Sequence, residues 1–184
     1  FRHSEARVDY ASMAGPQQIA AGRRYLRAHA AELAAAHATY GVDAEIIAAI
    51  ILVETRFGRF LGDKAVVNTL ATMAALAEPG PRDYLWSQLP AKGRYDRPAF
   101  ERKAAARSAW AYTELKAFLT YARSSQVDPA TVLGSYAGAL GISQFVPSSL
   151  LAFGRDGDGD GRVDLFTDAD AIHSIASYLQ HYGW

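Results

Sequence analysis

Apolar residues recur at helical spacing along most of this 184-residue chain; alanine is abundant and runs of β-branched residues are few. A period near 3.6 residues is typical of helices that bury one face against a core. The fold class that the pattern predicts is therefore mostly α. We expect helices over residues 17–39, 44–57, 65–77, 99–123, 129–133, 147–153 and 170–182.

Prolines and glycines cluster in residues 78–98 and interrupt the helical pattern. Because proline lacks an amide hydrogen and glycine weakens regular elements, this segment is expected to be a loop or a loosely helical excursion. Gly41 and Gly58 mark helix ends, and Asp43 and Asp128 are expected helix N-caps.

Glu54 is the only acidic residue in the apolar run 46–58. Three isoleucines precede it at helical spacing, so its carboxyl is expected on the same apolar stripe. A carboxyl that apolar neighbours keep protonated near neutral pH can act as a general acid. The same pattern also fits a helix-end glutamate that pairs with Arg56 or Arg59, or that reaches solvent.

Residues 134–149 contain three glycines and no acidic residue. Glycine lets the backbone approach a partner closely. Ser135 and Gln144 can hydrogen-bond a neutral ligand, while Tyr136 and Phe145 can stack on the face of a sugar. A tight crossing of two helices with a serine cap would explain the same residues.

Aspartates alternate with glycines in residues 156–161, in the pattern of the first half of an EF-hand calcium loop. Thr167 stands where the closing glutamate of that loop is expected, so Asp168 or Asp170 could close a longer loop. A solvated acidic turn is the alternative. The expected cation ligands at the start of the loop are Asp156, Asp158, Asp160 and the carbonyl of Arg162.

Composition excludes several classes of function. The formal net charge is zero and the pI is about 7.2, which argues against nucleic acid or an anionic membrane surface as a partner. Cysteine is absent, so there are no disulfides, no thiolate zinc site and no cysteine nucleophile. No run reaches the roughly 18 consecutive apolar residues expected of a transmembrane helix. The histidines lack the spacing of a helical zinc site.

Taken in order, these segments resemble one family. The run 53–58 looks like the active-site helix of the membrane-bound lytic transglycosylase B family, glycoside hydrolase family 103. Segment 134–149 is similar to the second signature of that family, and the acidic loop and the closing run 175–184 also match. The resemblance covers roughly residues 17–77 and 109–184.

The resemblance implies one lysozyme-like catalytic domain over 1–184, with an EF-hand-like loop at 156–170 that holds a structural Ca²⁺. It implies cleavage of the β-1,4 bond between N-acetylmuramic acid and N-acetylglucosamine in peptidoglycan, with formation of 1,6-anhydromuramic acid. Glu54 would be the sole catalytic acid and base. Ser135, Gln144 and Tyr178 match substrate contacts, and Asp156, Asp158, Asp160, Arg162 and Asp170 match calcium ligands.

The resemblance also implies a place and partners. We expect a monomer in the periplasm of the bacterial cell envelope that acts on glycan strands, with no cofactor in catalysis and no nucleic-acid partner. Association of a full-length precursor with the outer membrane is left open. Family catalytic domains commonly continue beyond the position of Trp184, and residues 78–108 look like an insertion relative to the family. We expect that insertion to reshape one wall of the cleft.

Three other functions fit some of these features. A lysozyme-type hydrolase usually needs two carboxyls, about 5 to 9.5 Å apart; segment 134–149 offers none, although Asp63 or Asp83 could supply one. A calcium-stabilised module that binds glycan without cleaving it would gain nothing from a buried Glu54. A calcium-binding interaction protein of EF-hand type is disfavoured by the single, irregular loop.

Overall fold

The computed structural model describes residues 14–90 and 96–184, and the mostly helical class is confirmed, at 65% helix. An antiparallel pair joins β1 (Lys64–Ala65) to β2 (Leu133–Gly134), with Lys64 opposite Gly134. The helices of the described ranges are α1 (Pro16–Ala28), α2 (Ala30–Tyr40), α3 (Ala44–Thr55), α4 (Val66–Ala74), α5 (Pro79–Gln88), α6 (Arg97–Ser124), α7 (Pro147–Phe153) and α8 (Asp168–His181).

The chain divides into two compact units. Of the described residues, the first unit comprises 14–60, Gly141–Ser143 and Phe153–Trp184; the second comprises 61–90, 96–140 and Gln144–Ala152. The expectation of one catalytic domain with an insertion at 78–108 stays a prediction, and residues 91–95 of that segment lie outside the described ranges.

In the first unit, α1, α2, α3 and α8 pack together. The expected single helix over 17–39 is wrong: it is two helices that meet at His29, whose φ and ψ are −115° and 31°. The His29 ring lies on Tyr25 with centroids 4.4 Å apart, and its Nε2 is 3.7 Å from Asp168 Oδ2. Asp168 is far from His29 in sequence, so no local periodicity marks the contact between them.

In the second unit, α4 packs along α6, and α5 covers a core made by Leu76, Phe100 and Ala104. The expectation of a loop over 78–98 is wrong for Pro79–Gln88, which is α5. Both early prolines fall in its first turn, where amide hydrogens have no partner within the helix, so proline is tolerated there.

The short helix expected over 129–133 is also wrong. Asp128 accepts the Ala130 N–H at 2.9 Å, which makes a turn instead of a helix N-cap. The residues that follow pair with the chain near β1, since the Val66 N–H donates to the Val132 carbonyl at 3.0 Å. Strand pairing therefore replaces the helix here.

Candidate active site and metal-binding loop

Glu54 lies in the last turn of α3, and its side chain is exposed. The buried face of α3 is formed by Ile47, Ala48, Ile51 and Thr55. Positions 47, 51 and 55 form one row along the helix, and Glu54 belongs to the neighbouring row, about 100° away. The expectation that Glu54 shares a buried apolar stripe is therefore wrong. Thr55 carries the buried polar group at this helix end.

The chain leaves α3 through a left-handed turn at Arg56, Phe57 and Gly58, with φ of 50°, 61° and 76°. The Phe57 ring stacks on Tyr25, with centroids 4.7 Å apart. The Tyr25 hydroxyl donates to Asp168 Oδ1 at 2.7 Å, and burial together with this bond raises the pKa of Tyr25 well above its usual range. The turn after Glu54 thus packs on a tyrosine that the start of α8 holds in place.

Ser135 organises a tight turn in the second unit. Its Oγ accepts the N–H groups of Ala137 (3.3 Å) and Ala139 (3.1 Å), and its own N–H donates to the Ala139 carbonyl at 2.8 Å. Tyr136, at the tip of this turn, is 66% exposed and presents its ring to solvent. The turn therefore displays an aromatic face that a sugar could contact.

Gln144 and Phe145 lie farther along the same segment and are half-buried. Gln144 adopts a left-handed backbone with φ of 50°, and its Nε2 donates to the Leu61 carbonyl at 3.3 Å. The Phe145 carbonyl accepts the Leu140 N–H at 3.0 Å. Backbone pairing and this side-chain bond fix where both residues lie within the second unit.

Glu114, on α6, supports the end of the glycine-rich segment, and sequence reasoning missed it. It is 3% exposed; its Oε2 accepts the Ser148 N–H and its Oε1 accepts the Ser148 hydroxyl, both at 2.8 Å. It thereby caps the first turn of α7, at the end of the glycine-rich segment. Its partner is 34 residues away in sequence, so no local pattern could reveal it.

Tyr178, on α8, is half-buried among aromatic rings of the first unit. Phe153 meets it edge-on with centroids 5.2 Å apart, and Tyr182 lies tilted at 4.7 Å. Tyr182 is 66% exposed, so this cluster shows an aromatic surface. Among the predicted site residues, the first unit holds Glu54, Tyr178 and the acidic loop, and the second holds Ser135, Tyr136, Gln144 and Phe145.

Three carboxylates of the acidic loop converge. Asp156, Asp158 and Asp170 each place one oxygen within 4.8 Å of the other two. Asp170 is buried and accepts the backbone N–H groups of Gly157 at 2.7 Å and Asp164 at 2.6 Å. The sequence left open whether Asp168 or Asp170 closes the loop. In the structure it is Asp170 that lies in the cluster.

Asp168 instead binds Tyr25 and His29, as described above. Asp160 is outside the three-carboxylate cluster, and it accepts the Arg162 N–H at 2.8 Å. The ligand roles of Asp160 and of the Arg162 carbonyl stay predictions.

The acidic cluster combines two different environments. Backbone N–H groups, chiefly that of Gly161, lower the pKa of Asp156, whereas burial raises the pKa of Asp170. A cation would favour the ionised form of the buried carboxyl and offset the repulsion among the three. Oxygen ligands of this kind suit a hard cation such as Ca²⁺.

No single helix among the described residues has the length and apolarity to cross a membrane, although α2 and α3, bent by 114° at their junction, meet that test as a pair.

Comparison with known proteins gives one family and several relatives. The family described as Transglycosylase SLT domain matches residues 3–184. The membrane-bound lytic murein transglycosylase B of Escherichia coli is 37% identical over 145 residues, which is 79% of this chain and 33% of that protein.

Two solved structures are also similar. The soluble lytic transglycosylase SltB1 of Pseudomonas aeruginosa has a TM-score of 0.78 and 38% identity, covering 100% of this chain and 54% of that one. The Escherichia coli lytic transglycosylase Slt35 in complex with calcium has a TM-score of 0.74 and 34% identity, covering 92% of this chain and 46% of that one. The chain thus spans about a third of the curated relative and about half of each structure.

Proposed function

Because the chain belongs to the family described as Transglycosylase SLT domain, we propose that it is a lytic transglycosylase that cleaves peptidoglycan. The bond cleaved is the β-1,4 linkage between N-acetylmuramic acid and N-acetylglucosamine, and the product end is 1,6-anhydromuramic acid. The family match over residues 3–184 carries the proposal. The exposed position of Glu54 at the end of α3 supports it, because a glycan strand can reach that carboxyl.

The proposed reaction uses one carboxyl twice. Protonated Glu54 gives its proton to the glycosidic oxygen as the bond from C1 to that oxygen breaks, and the N-acetyl carbonyl oxygen of the substrate bonds to C1. The Glu54 carboxylate then accepts the proton of the muramyl 6-hydroxyl as that oxygen attacks C1 and displaces the carbonyl. When the glycan covers Glu54, the carboxyl loses its contact with water. This desolvation favours the protonated form of the carboxyl.

A one-carboxyl reaction agrees with the residues of the glycine-rich segment, since 134–149 contains no acidic side chain. The two-carboxyl hydrolase is the second candidate, because the second carboxyl would have to come from outside this segment. A module that only binds glycan was disfavoured because it would gain nothing from a buried acid. Glu54 is exposed, so that argument no longer applies. Cleavage and binding must therefore be measured separately.

We propose Ser135, Tyr136, Gln144, Phe145 and Tyr178 as glycan contacts. Tyr136 is the most exposed of these side chains, and Ser135 and Gln144 offer polar groups to neutral sugar hydroxyl and acetamido groups. The hydrogen bonds described above hold the Ser135 and Gln144 side chains before any ligand binds, which lowers the ordering cost of recognition.

The test is digestion of purified murein, followed by mass analysis of the soluble fragments. We expect muramyl ends one water lighter than hydrolysed ends, which identifies the anhydro product. Reducing muramic acid ends would move the assignment to a hydrolase. Co-sedimentation with murein without any soluble fragment would leave a binding module.

We also propose that the acidic loop binds a structural Ca²⁺. The three converging carboxylates support this, as does the similarity to a structure in complex with calcium. Asp156, Asp158 and Asp170 would hold the ion, with Asp160 and the Arg162 carbonyl as further ligands. The ion would neutralise the loop and brace the start of α8.

Thermal unfolding tests the calcium proposal. At a free Ca²⁺ concentration about 100 times Kd, binding adds about 2.7 kcal/mol, which raises Tm by about 5–10 °C for a chain of this size. Asp158→Asn should remove most of that gain. Asp63→Asn, which changes an exposed aspartate of the second unit, should keep it. Equal melting temperatures of the unmodified protein in Ca²⁺ and in chelator would show that the loop binds no calcium.

We propose the periplasmic side of the bacterial cell envelope as the place of action, because peptidoglycan lies there. The curated relative is membrane-bound by name, which agrees with the envelope. Glycan strands are the proposed partner. The monomeric state stays a prediction.

A further inference from the structure

Thr55 follows Glu54 directly and is 0% exposed, in a row of α3 that otherwise carries isoleucine. A buried hydroxyl is destabilising unless it is hydrogen-bonded. Thr55 Oγ1 lies 3.1 Å from the Ile142 carbonyl oxygen and 3.3 Å from that of Ile51, and it accepts the Gly58 N–H at 3.0 Å. The Thr55 hydroxyl therefore acts both as a hydrogen-bond donor and as an acceptor.

The Gly58 bond supports a turn that is otherwise disfavoured. Arg56 and Phe57 have φ of 50° and 61°, a region that costs a side-chain-bearing residue about 1–2 kcal/mol. The backbone carbonyl of Thr55 accepts two further N–H groups after the turn, from Arg59 at 2.9 Å and Phe60 at 3.0 Å. Thr55 therefore contacts the start and the end of the turn that follows Glu54.

The Ile142 bond joins the end of α3 to the glycine-rich segment. Ile142 is itself held on its other side, where its N–H donates to the Leu165 carbonyl at 2.7 Å. Gly141 permits this approach, because its φ is +73° and a Cβ there would lie 2.4 Å from Leu165 Cβ. Leu165 is 0% exposed. The carbonyl that Thr55 binds is thus a fixed point within the first unit.

We propose that Thr55 is a positioning residue for the reaction: its hydroxyl fixes the end of α3, and with it the Glu54 carboxyl, against Ile142 and the left-handed turn. This inference rests on the proposed function, since it assigns the proton transfers to Glu54. A displacement of about 1 Å at a reacting group can reduce a rate about 100-fold, so an anchor one residue away affects turnover.

Thr55→Val tests the inference, because valine keeps the shape of threonine and removes only the hydroxyl. We expect kcat on murein to fall about 10- to 100-fold while KM changes less than about threefold. Thr55→Ser, which keeps the hydroxyl, should retain kcat within about threefold. The matched control is Thr39→Val, since the Thr39 hydroxyl donates to the Ala35 carbonyl at 2.8 Å on an exposed face of α2.

A second readout does not depend on activity. Amide hydrogen exchange at Gly58 and Phe60 should accelerate at least about tenfold in Thr55→Val and stay unchanged in Thr55→Ser and Thr39→Val, because the turn loses its anchor. The exchange is measured by NMR well below the melting temperature of each variant.

The outcomes separate the two proposals. If the unmodified protein forms no anhydro ends, the proposed function fails, and exchange at Gly58 alone then decides whether Thr55 anchors the turn. If the unmodified protein is active and the Thr55→Val variant keeps the same kcat, the positioning role is wrong. It is also wrong if the Thr55→Ser variant loses as much kcat as Thr55→Val, since packing of the methyl group would then be the cause. If Thr55→Val does not fold, the serine variant and its exchange still decide.

Discussion

Glu54 in the first unit and Glu114 in the second occupy opposite environments. Glu54 stands out in an apolar run, yet its side chain is exposed at the end of α3. Glu114 lies in a helix with many polar residues, yet it is 3% exposed, and both its oxygens accept hydrogen bonds from Ser148. The sequence around the two glutamates thus predicts that Glu54 is the buried one, whereas Glu114 is.

The difference shows what buries a carboxyl in this molecule. An apolar run predicts a helix, but the side of the helix that faces the core depends on what packs against it. Glu114 is buried because the start of α7 supplies two donors at 2.8 Å, which offset the loss of water. Glu54 is exposed on its face of α3, which agrees with the proposal that it contacts a glycan.

The largest effect is expected at Glu54. Glu54→Gln should lower the rate of murein cleavage by about 10²- to 10⁴-fold, because the amide cannot exchange a proton as the carboxyl does. The free energy of unfolding should change by less than about 0.5 kcal/mol, since the side chain is exposed. Release of anhydro fragments and urea unfolding measure the two quantities.

Glu45→Gln is the matched control for that experiment. Glu45 is an exposed glutamate in the first turn of the same helix, and its replacement should leave the cleavage rate unchanged. A Glu54→Gln variant with normal cleavage would end the one-carboxyl reaction.

At Glu114 the effect should fall on stability. Glu114→Ala leaves the half-buried Ser148 N–H and hydroxyl without their acceptor and removes a buried side chain, so the free energy of unfolding should drop by about 2–4 kcal/mol. Glu101→Ala on the same helix breaks only the half-exposed pair with Arg97, 2.8 Å apart, and should cost less than about 1 kcal/mol. Equal losses in the two variants would contradict the contrast between buried and exposed glutamates.

The smallest effect concerns Tyr25, which packs on the turn after Glu54. Its folded-state pKa is raised, so the folded chain keeps the hydroxyl proton at a pH where the unfolded chain loses it. Its contribution to stability is complete below about pH 10 and declines as pH rises further, by at most about 1.4 kcal/mol per pH unit. Tyr25→Phe should therefore lose stability less steeply above pH 10 than the unmodified protein.

The measurement is urea unfolding at several pH values between about pH 9 and pH 11, with slopes compared instead of absolute stabilities. Tyr84→Phe, which changes an exposed tyrosine of the second unit, should keep the slope of the unmodified protein. If the stability of Tyr25→Phe falls with pH as steeply as that of the unmodified protein, the pKa of Tyr25 does not change on folding.

The sequence predicted those parts of the fold that local rules decide. The apolar run before Gly58 and the periodic segment near the end of the chain are α3 and α8, within a few residues of the expected bounds. The break at His29, by contrast, coincides with contacts to Asp168, and the chain after Asp128 pairs as a strand with a segment far away. Tertiary contacts override local propensity in both places.

The candidate site divides in the same way. The order of the three segments was enough to predict the family, which the match over residues 3–184 confirms, and to name Glu54 and the acidic loop. The supporting bonds of Thr55, Glu114 and Tyr25 were not predicted, because they reach 87, 34 and 143 residues along the chain. A spacing rule covers a few residues, so it cannot report such supports.

The left-handed backbone at Arg56 and Phe57 has a consequence for how this protein could be evolved in the laboratory. Glycine adopts that conformation without penalty, and Arg56 is exposed, so a library selected only for thermal resistance should accept glycine at position 56. A library selected for wall digestion should reject it, because the chain next to Glu54 would become more mobile. Position 56 is therefore a place where the two selections favour different sequences.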